Sequence, residues 1–238
     1  MEFREGLELR HLLARGIHHH VSGNLESSTS MTIVSDIDGV LASFESAWEP
    51  LLAKLAGESR LPAGWKTDPN FPDIWDWDKR AYGDDIVREA WKIANADPKF
   101  WLKLDPLPGT TEAAKVINTI QRKHQIIFLT RRSGVAAQRQ TCEWLYGVGI
   151  NYPNVITVND ADEKVPILQN LRARFFIDDR LETMEAWYTH CHMNGISTNP
   201  PNYFALIDAP YNHEGRTIKG MKVAANIVDA LKESGLWT

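Results

Sequence analysis

The chain has 238 residues, room for one large domain or a core domain with an insert. Apolar residues make up 43% and charged residues 24%, as in an ordinary soluble globular protein, and the net charge of -5 gives no basic footprint for long nucleic acid. No apolar run is long enough to span a membrane, and Cys142 and Cys191 are too few for a disulfide framework and too isolated for a zinc site, so a reducing cytoplasm is the expected setting.

Residues 1–30 read as a flexible arm. A short helix is possible over 5–14, but His18-His19-His20 and the serines that follow are polar and loop-like, and a histidine tract on such an arm is more often solvated than metal-bound. The segment lacks the apolar core and small-residue cleavage site of a signal peptide. The first strand begins beside Met31. It runs Thr32-Ile33-Val34-Ser35 and leads directly into Asp36-Ile37-Asp38-Gly39. A short β-branched run ending in a tight loop predicts a buried strand, and two carboxylates at i and i+2 on a turning backbone converge on one volume. Left alone they repel; a hard, oxygen-preferring ion such as Mg²⁺ relieves this. The plain alternative is an ordinary strand-to-turn junction, where Asp and Gly are common.

A helix is predicted over 44–56, with Trp48, Leu51, Leu52 and Leu55 on one side, followed by a Pro- and Gly-containing loop to 72. The stretch 74–101 is rich in tryptophan and carries a helix at 84–95. It offers no convincing strand, so 47–104 reads as a small helical module inserted in a core made of 31–46 and 105–238. After Leu107-Pro108-Gly109, Thr110 caps a predicted helix to 123. A strand at 125–130 ends in Thr130, and Ser133 caps the next helix, which stops at Gly147. Strands follow at 154–158, 174–178 and 203–207, separated by helices at 163–171 and beyond Asp179, and an amphipathic helix at 218–231 closes the chain. Strands alternating with helices predict an α/β fold: a Rossmann-like parallel sheet covered by helices on both faces.

In such sheets ligands bind outside the carboxyl ends of the strands. That edge collects Asp36, Asp38, Thr130, Arg131, Lys164, Asp178 and Asp179, residues distant in sequence but matched in chemistry. Three or four carboxylates suit Mg²⁺; one of them can attack phosphorus, and another can transfer protons. A lysine, a hydroxyl and backbone N–H groups stabilise charge on phosphoryl oxygens. Each has a bland alternative. Glu163-Lys164 can open a solvated helix, Thr130 can simply end a strand, Asp178-Asp179 can cap a helix, and Arg131 and Arg132 can contact an anion or be exposed helix-start residues.

Asp36-Ile37-Asp38-Gly39-Val40, the apolar strand ending in Thr130, Lys164, and Phe176-Ile177-Asp178-Asp179 together resemble the four motifs of the haloacid dehalogenase (HAD) superfamily of phosphohydrolases, over residues 31–208. The resemblance implies Asp36 as nucleophile and Asp38 as general acid/base, with the Asp38 backbone carbonyl, Asp36, Asp178 and Asp179 around Mg²⁺. It implies that Thr130, the N–H of Arg131 and Lys164 hold the phosphoryl group, and that the 47–104 insert is a cap closing over the site. Asp-x-Asp-Gly-Val-Leu-Ala-x-Phe at 36–44, Phe100-Trp101 and Leu107-Pro108-Gly109 resemble the 5′(3′)-deoxyribonucleotidases. That likeness implies a 5′-nucleotidase acting on a nucleotide, a small phosphorylated substrate, with Phe44, Trp75, Trp77 and Trp101 as base-stacking candidates. Packing inside the small module is the alternative for each tryptophan. Arg131-Arg132-Ser133-Gly134 departs from the Ser-Pro continuation of those enzymes. A phosphatase for another small phosphomonoester or a nucleic-acid 3′-phosphate end, and a non-catalytic phosphate- or partner-binding protein, are the competing readings. Whether Tyr211-Asn212-His213 reaches the site is open from the sequence.

Overall fold

The computed structural model describes residues 30–65, 76–195, 203–212 and 221–237. The expectations for the arm before residue 30, for Trp75, for His213 and for the start of the last helix at 218 lie outside the described residues. In chain order the elements are β1 (Thr32–Ser35), β2 (Ala42–Ser43), α1 (Glu45–Ala56), α2 (Trp77–Tyr82), α3 (Asp84–Ala96), β3 (Asp105–Pro106), α4 (Thr110–Ile120), β4 (Gln125–Arg131), α5 (Ala137–Gly147), β5 (Asn154–Val158), α6 (Lys164–Asn170), β6 (Phe175–Asp178), α7 (Leu181–Met193), β7 (Tyr203–Ile207), β8 (Met221–Ala224) and α8 (Ile227–Glu233).

Six strands form one sheet in the order β5-β4-β1-β6-β7-β8, and every neighbouring pair is parallel. Successive side chains of a strand point to opposite faces, and this divides the core in two. Ile33, Ile126, Phe128, Phe175 and Ile177 join Ile117 of α4, Leu145 of α5 and Leu231 of α8 on one face. Val34, Ile127, Leu129 and Phe176 join Leu168 of α6 and Met184 and Trp187 of α7 on the other. A strand covered on both faces needs apolar residues at every position, which is why β1 and β6 read as continuous apolar runs rather than alternating ones.

The short strands β2 and β3 pair antiparallel, Ala42 with Pro106 and Ser43 with Asp105. This ribbon brackets the segment 44–104. The described part of that segment is helical apart from its connections, and its Trp48, Leu52, Val87 and Phe100 belong to the same apolar cluster as Ile37 and Leu41 beside β1.

Three details differ from the sequence reading. The predicted closing helix is split: Met221–Ala224 is a sixth sheet strand, and α8 begins only after Asn226, whose side chain accepts from the Asp229 N–H. Lys222 and Val223 are exposed on this edge strand, so its pattern lacks the strict apolar alternation that marks a strand. Ser133 caps nothing; its hydroxyl donates to Asn95 Oδ1, and α5 starts at Ala137, after Gly134 turns the chain at φ +109°. Thr110 is already inside α4 and donates its hydroxyl back to Leu41 O, which ties the helix to the loop after β1.

Candidate active site

The strand order reverses between β1 and β6: the chain moves outward from β1 through β4 to β5, then returns to the other side of β1 for β6. The crevice at such a reversal is the ligand site of open α/β sheets. Asp36 follows β1 there, its N–H donating to Ile177 O at 2.8 Å, and Asp178 ends β6. Lys164, the first residue of α6, reaches between them, with Nζ 2.6 Å from Asp36 Oδ2 and 2.8 Å from Asp178 Oδ2. The side chain is not a solvated helix start; Lys164 is 1% exposed. Backbone donors fix the remaining oxygens: Ile37 N–H donates to Asp36 Oδ1 at 2.7 Å and Arg180 N–H to Asp178 Oδ1 at 2.8 Å.

Asp179 completes the group. Carboxylate oxygens of Asp36, Asp178 and Asp179 all lie within 4.8 Å of one another, and all three residues are buried. One ammonium bridges two of the three carboxylates, and burial together with the neighbouring negative charge raises the proton affinity of Asp178 and Asp179. Burial, with Asp36 adding to it, pushes the Asp178 carboxyl up to about 6 even though Lys164 pulls it down. Burial and then the charges of Asp178 and Asp36 hold Asp179 well above the ordinary carboxylate value. Burial alone disfavours the Lys164 ammonium, but Asp178 and Asp36 outweigh it and hold its proton more tightly than usual. An oxygen-only donor set with unneutralised buried charge fits a hard divalent cation. Three side chains, Asp36, Asp178 and Asp179, form the cluster, while the Asp38 carboxylate is turned elsewhere, as its expected part in the metal set is through the backbone carbonyl.

Asp38 meets the end of β4. Its carboxylate is gripped side-on by Arg132, Nη2 to Oδ1 at 2.7 Å and Nε to Oδ2 at 3.0 Å, and Thr130 Oγ1 donates more weakly to Oδ2 at 3.4 Å. Arg132 is therefore not an exposed helix-start residue. Arg131, on the opposite side of the strand, is the exposed one; its Nε donates to Asn159 O at 3.3 Å.

Two further residues enter the site from the turn after β7. Tyr211 donates its hydroxyl to Asp179 Oδ2, and Asn212 Nδ2 donates to Asp179 O. Burial and the neighbouring Asp179 charge hold the Tyr211 phenol well above its usual value. Their only sequence signal is position, a polar turn at the carboxyl edge of the fifth strand. Gly39 makes room for the same carboxylate by lacking a side chain: its φ is +73°, and a Cβ there would fall 2.1 Å from Asp179 Oδ2.

Beside these groups lies a cleft of about 510 Å³, lined by Asp38, Gly39, Asp179, Trp77, Trp91 and Arg131 among others. A smaller cavity of about 80 Å³ continues to Asp36, Thr130 and Lys164. Phe44 and Trp91 line both cavities and stack on each other, centroids 5.7 Å apart and planes at 16°. Trp91 was not singled out by sequence. Trp77 lines the large cleft although it is buried. Trp101 lines neither cavity; it is buried behind Phe44 and against Arg132.

No protein-family model matches the chain, and no curated protein matches it in sequence. Solved structures do match it in shape. A haloacid dehalogenase-like hydrolase of Burkholderia xenovorans superposes with a TM-score of 0.54 at 12% identity, over 87% of this chain and 98% of its own. A Lactobacillus plantarum protein described as a phosphoglycolate phosphatase gives 0.51 at 13%, over 88% of this chain and 100% of its own. The HAD-hydrolase YfnB of Bacillus subtilis, in a form bound to magnesium, gives 0.50 at 12%, over 87% and 100%. The chain has the α/β fold of HAD-superfamily hydrolases; at these identities the likeness is one of fold.

Proposed function

We propose that the protein is a Mg²⁺-dependent phosphomonoesterase that works through an aspartyl-phosphate on Asp36, and that its substrate is a nucleoside monophosphate. The observation that carries the reading is the Lys164 ammonium held between Asp36 and Asp178, beside Asp179, at the strand-order reversal and next to the cleft. The neighbouring structures are described as hydrolases, one of them as a phosphoglycolate phosphatase and one bound to magnesium, which supports the same class and ion. No helix among the described residues is long and apolar enough to cross a membrane, and Cys142 and Cys191 are both free; the proposal keeps the cytoplasm as the setting.

In this reading an Asp36 oxygen attacks phosphorus, the bond from phosphorus to the leaving oxygen breaks, and that oxygen takes a proton from Asp38. Asp38 then accepts a proton from water as the water oxygen bonds phosphorus and the Asp36–phosphorus bond breaks, releasing phosphate. Lys164 orients Asp36, while Thr130 and Arg131 bind phosphoryl oxygens. Mg²⁺, held by Asp36, Asp178, Asp179 and the Asp38 carbonyl, would neutralise charge on those oxygens. The 47–104 segment acts as the cap. A cleft of about 510 Å³ has the size of a small-ligand site, and the stacked Phe44–Trp91 pair offers a flat face for a nucleobase.

The test is phosphate release with Mg²⁺ across deoxy- and ribonucleoside monophosphates, sugar phosphates and a 3′-phosphorylated oligonucleotide. Preference for nucleoside monophosphates supports the substrate assignment. Preference for a sugar phosphate or the oligonucleotide end removes it.

A further inference from the structure

Adjacent arginines at the end of β4 have opposite fates, and the buried one has no role in the chemistry set out above. Arg132 is 1% exposed and lines neither cavity, whereas Arg131 lines both. A guanidinium so enclosed cannot reach a substrate phosphate. Its fork instead lies along the Asp38 carboxylate, which remains 18% exposed toward the cleft. We infer that Arg132 is a positioning residue that aims the Asp38 carboxylate at the leaving oxygen and at the attacking water; this rests on the reading of Asp38 as the proton carrier.

The surroundings of Arg132 form a built cradle. Nη1 donates to Thr141 Oγ1 at 3.2 Å, and Cζ lies 5.0 Å from the Trp101 ring centroid and 5.8 Å from that of Trp144. Each wall is pinned in turn: Trp101 Nε1 donates to Ser133 O, Trp144 Nε1 to Leu104 O, and Thr141 Oγ1 to Ala137 O. A bidentate arginine–carboxylate pair fixes the plane of both groups, which a lysine point charge cannot do. A proton carrier misaimed by about 1 Å loses most of its advantage. Trp101 therefore serves the reaction through Arg132, from behind the cleft.

The experiment compares wild type, Arg132→Lys, Thr141→Val, Asp38→Asn and the Asp38→Asn/Arg132→Lys pair, with Asp36→Asn as control. On a nucleoside monophosphate, Arg132→Lys is expected to lower kcat about 100-fold, the scale of one proton-transfer catalyst, with KM changed less than about threefold. Thr141→Val, which keeps the guanidinium, is expected to show the same split more weakly, and it decides the matter if Arg132→Lys does not fold. On p-nitrophenyl phosphate the leaving group departs without a proton. Arg132→Lys should then release its first equivalent of p-nitrophenolate at nearly the wild-type rate and stall at hydrolysis. The double variant should be no slower than Asp38→Asn alone. Equal slowing of the first turnover on both substrates, or additive losses in the double variant, overturns the inference while leaving the phosphatase reading intact. A wild type no more active than Asp36→Asn overturns both.

Discussion

Gly39 and Asp179 occupy a space that admits no side chain on the glycine: a Cβ would lie 2.1 Å from Asp179 Oδ2, and the backbone there is left-handed at φ +73°. Gly39→Ala must strain the loop or expel a carboxylate from the acidic cluster. The backbone strain costs about 1–2 kcal/mol, and displacing Asp179 removes one of three carboxylates within 4.8 Å. The expected outcome is a modest loss in denaturant unfolding, with a loss of turnover of about 100-fold or more for a misplaced charged group. Activity near wild type would show that Asp179 can move without consequence.

Lys164 is the only cation that the structure puts in contact with the Asp36 and Asp178 carboxylates among the described residues. Lys164→Met leaves two buried carboxylates facing each other, and breaking a buried pair costs about 3–5 kcal/mol. Chemical denaturation without metal should register that loss, and Mg²⁺ should restore more stability to this variant than to wild type.

Metal binding itself is expected to stabilise the fold. A ligand present at a hundred times its dissociation constant contributes about 2.7 kcal/mol. Thermal unfolding with Mg²⁺ against chelator should show a clear upward shift in Tm, reduced in Asp178→Asn and Asp179→Asn. An identical Tm in Mg²⁺ and chelator would remove the metal from the account.

The chelated protein should also lose stability as pH rises. The Asp178 carboxyl is raised in the fold, from 3.8 to about 6, so its contribution is most favourable below the unfolded value and is lost as pH rises through about 4 to 6. At 1.36 kcal/mol per unit this is on the order of 2–3 kcal/mol. His124 works the other way, because burial lowers its pKa below the usual 6.5 and stability is lost as pH falls through that range. The measurement is therefore the difference between wild type and Asp178→Asn in urea unfolding across pH 4 to 7. A difference that does not change with pH would contradict the assignment.

The fold was largely legible because its signals are local. Buried parallel strands read as apolar runs, and the residues at or just past their carboxyl ends, Asp36, Thr130 and Asp178, follow from strand position alone. Two kinds of feature were not legible. An edge strand half open to solvent, Met221–Ala224, has no pattern to separate it from the helix beside it. Contacts among side chains far apart in the chain, such as Asp38 with Arg132 or Tyr211 with Asp179, leave no trace in spacing. The same holds for the aromatics. Composition found a tryptophan-rich insert, but only packing separates Trp91 at the cleft from Trp101 in the wall behind it.

Trp91 carries the substrate reading and can be probed without touching the chemistry. Trp91→Ala should raise KM for a nucleoside monophosphate about tenfold or more, since stacking a base contributes about 1–3 kcal/mol. The same variant should leave turnover of acetyl phosphate, which has no ring to stack, within about twofold of wild type. Equal effects on both substrates would assign Trp91 to packing.

The central claim is that Asp36 carries the phosphoryl group. The most direct measurement is mass spectrometry of the Asp36 peptide after acid quench of the Mg²⁺-loaded Asp38→Asn variant mixed with p-nitrophenyl phosphate, because that variant can accept phosphate from a good leaving group but cannot activate water. The account predicts a phosphate adduct on Asp36, absent when Asp36 is also replaced by Asn, together with loss of turnover in Asp36→Asn alone. No adduct, with Asp36→Asn releasing phosphate as fast as wild type, would contradict it.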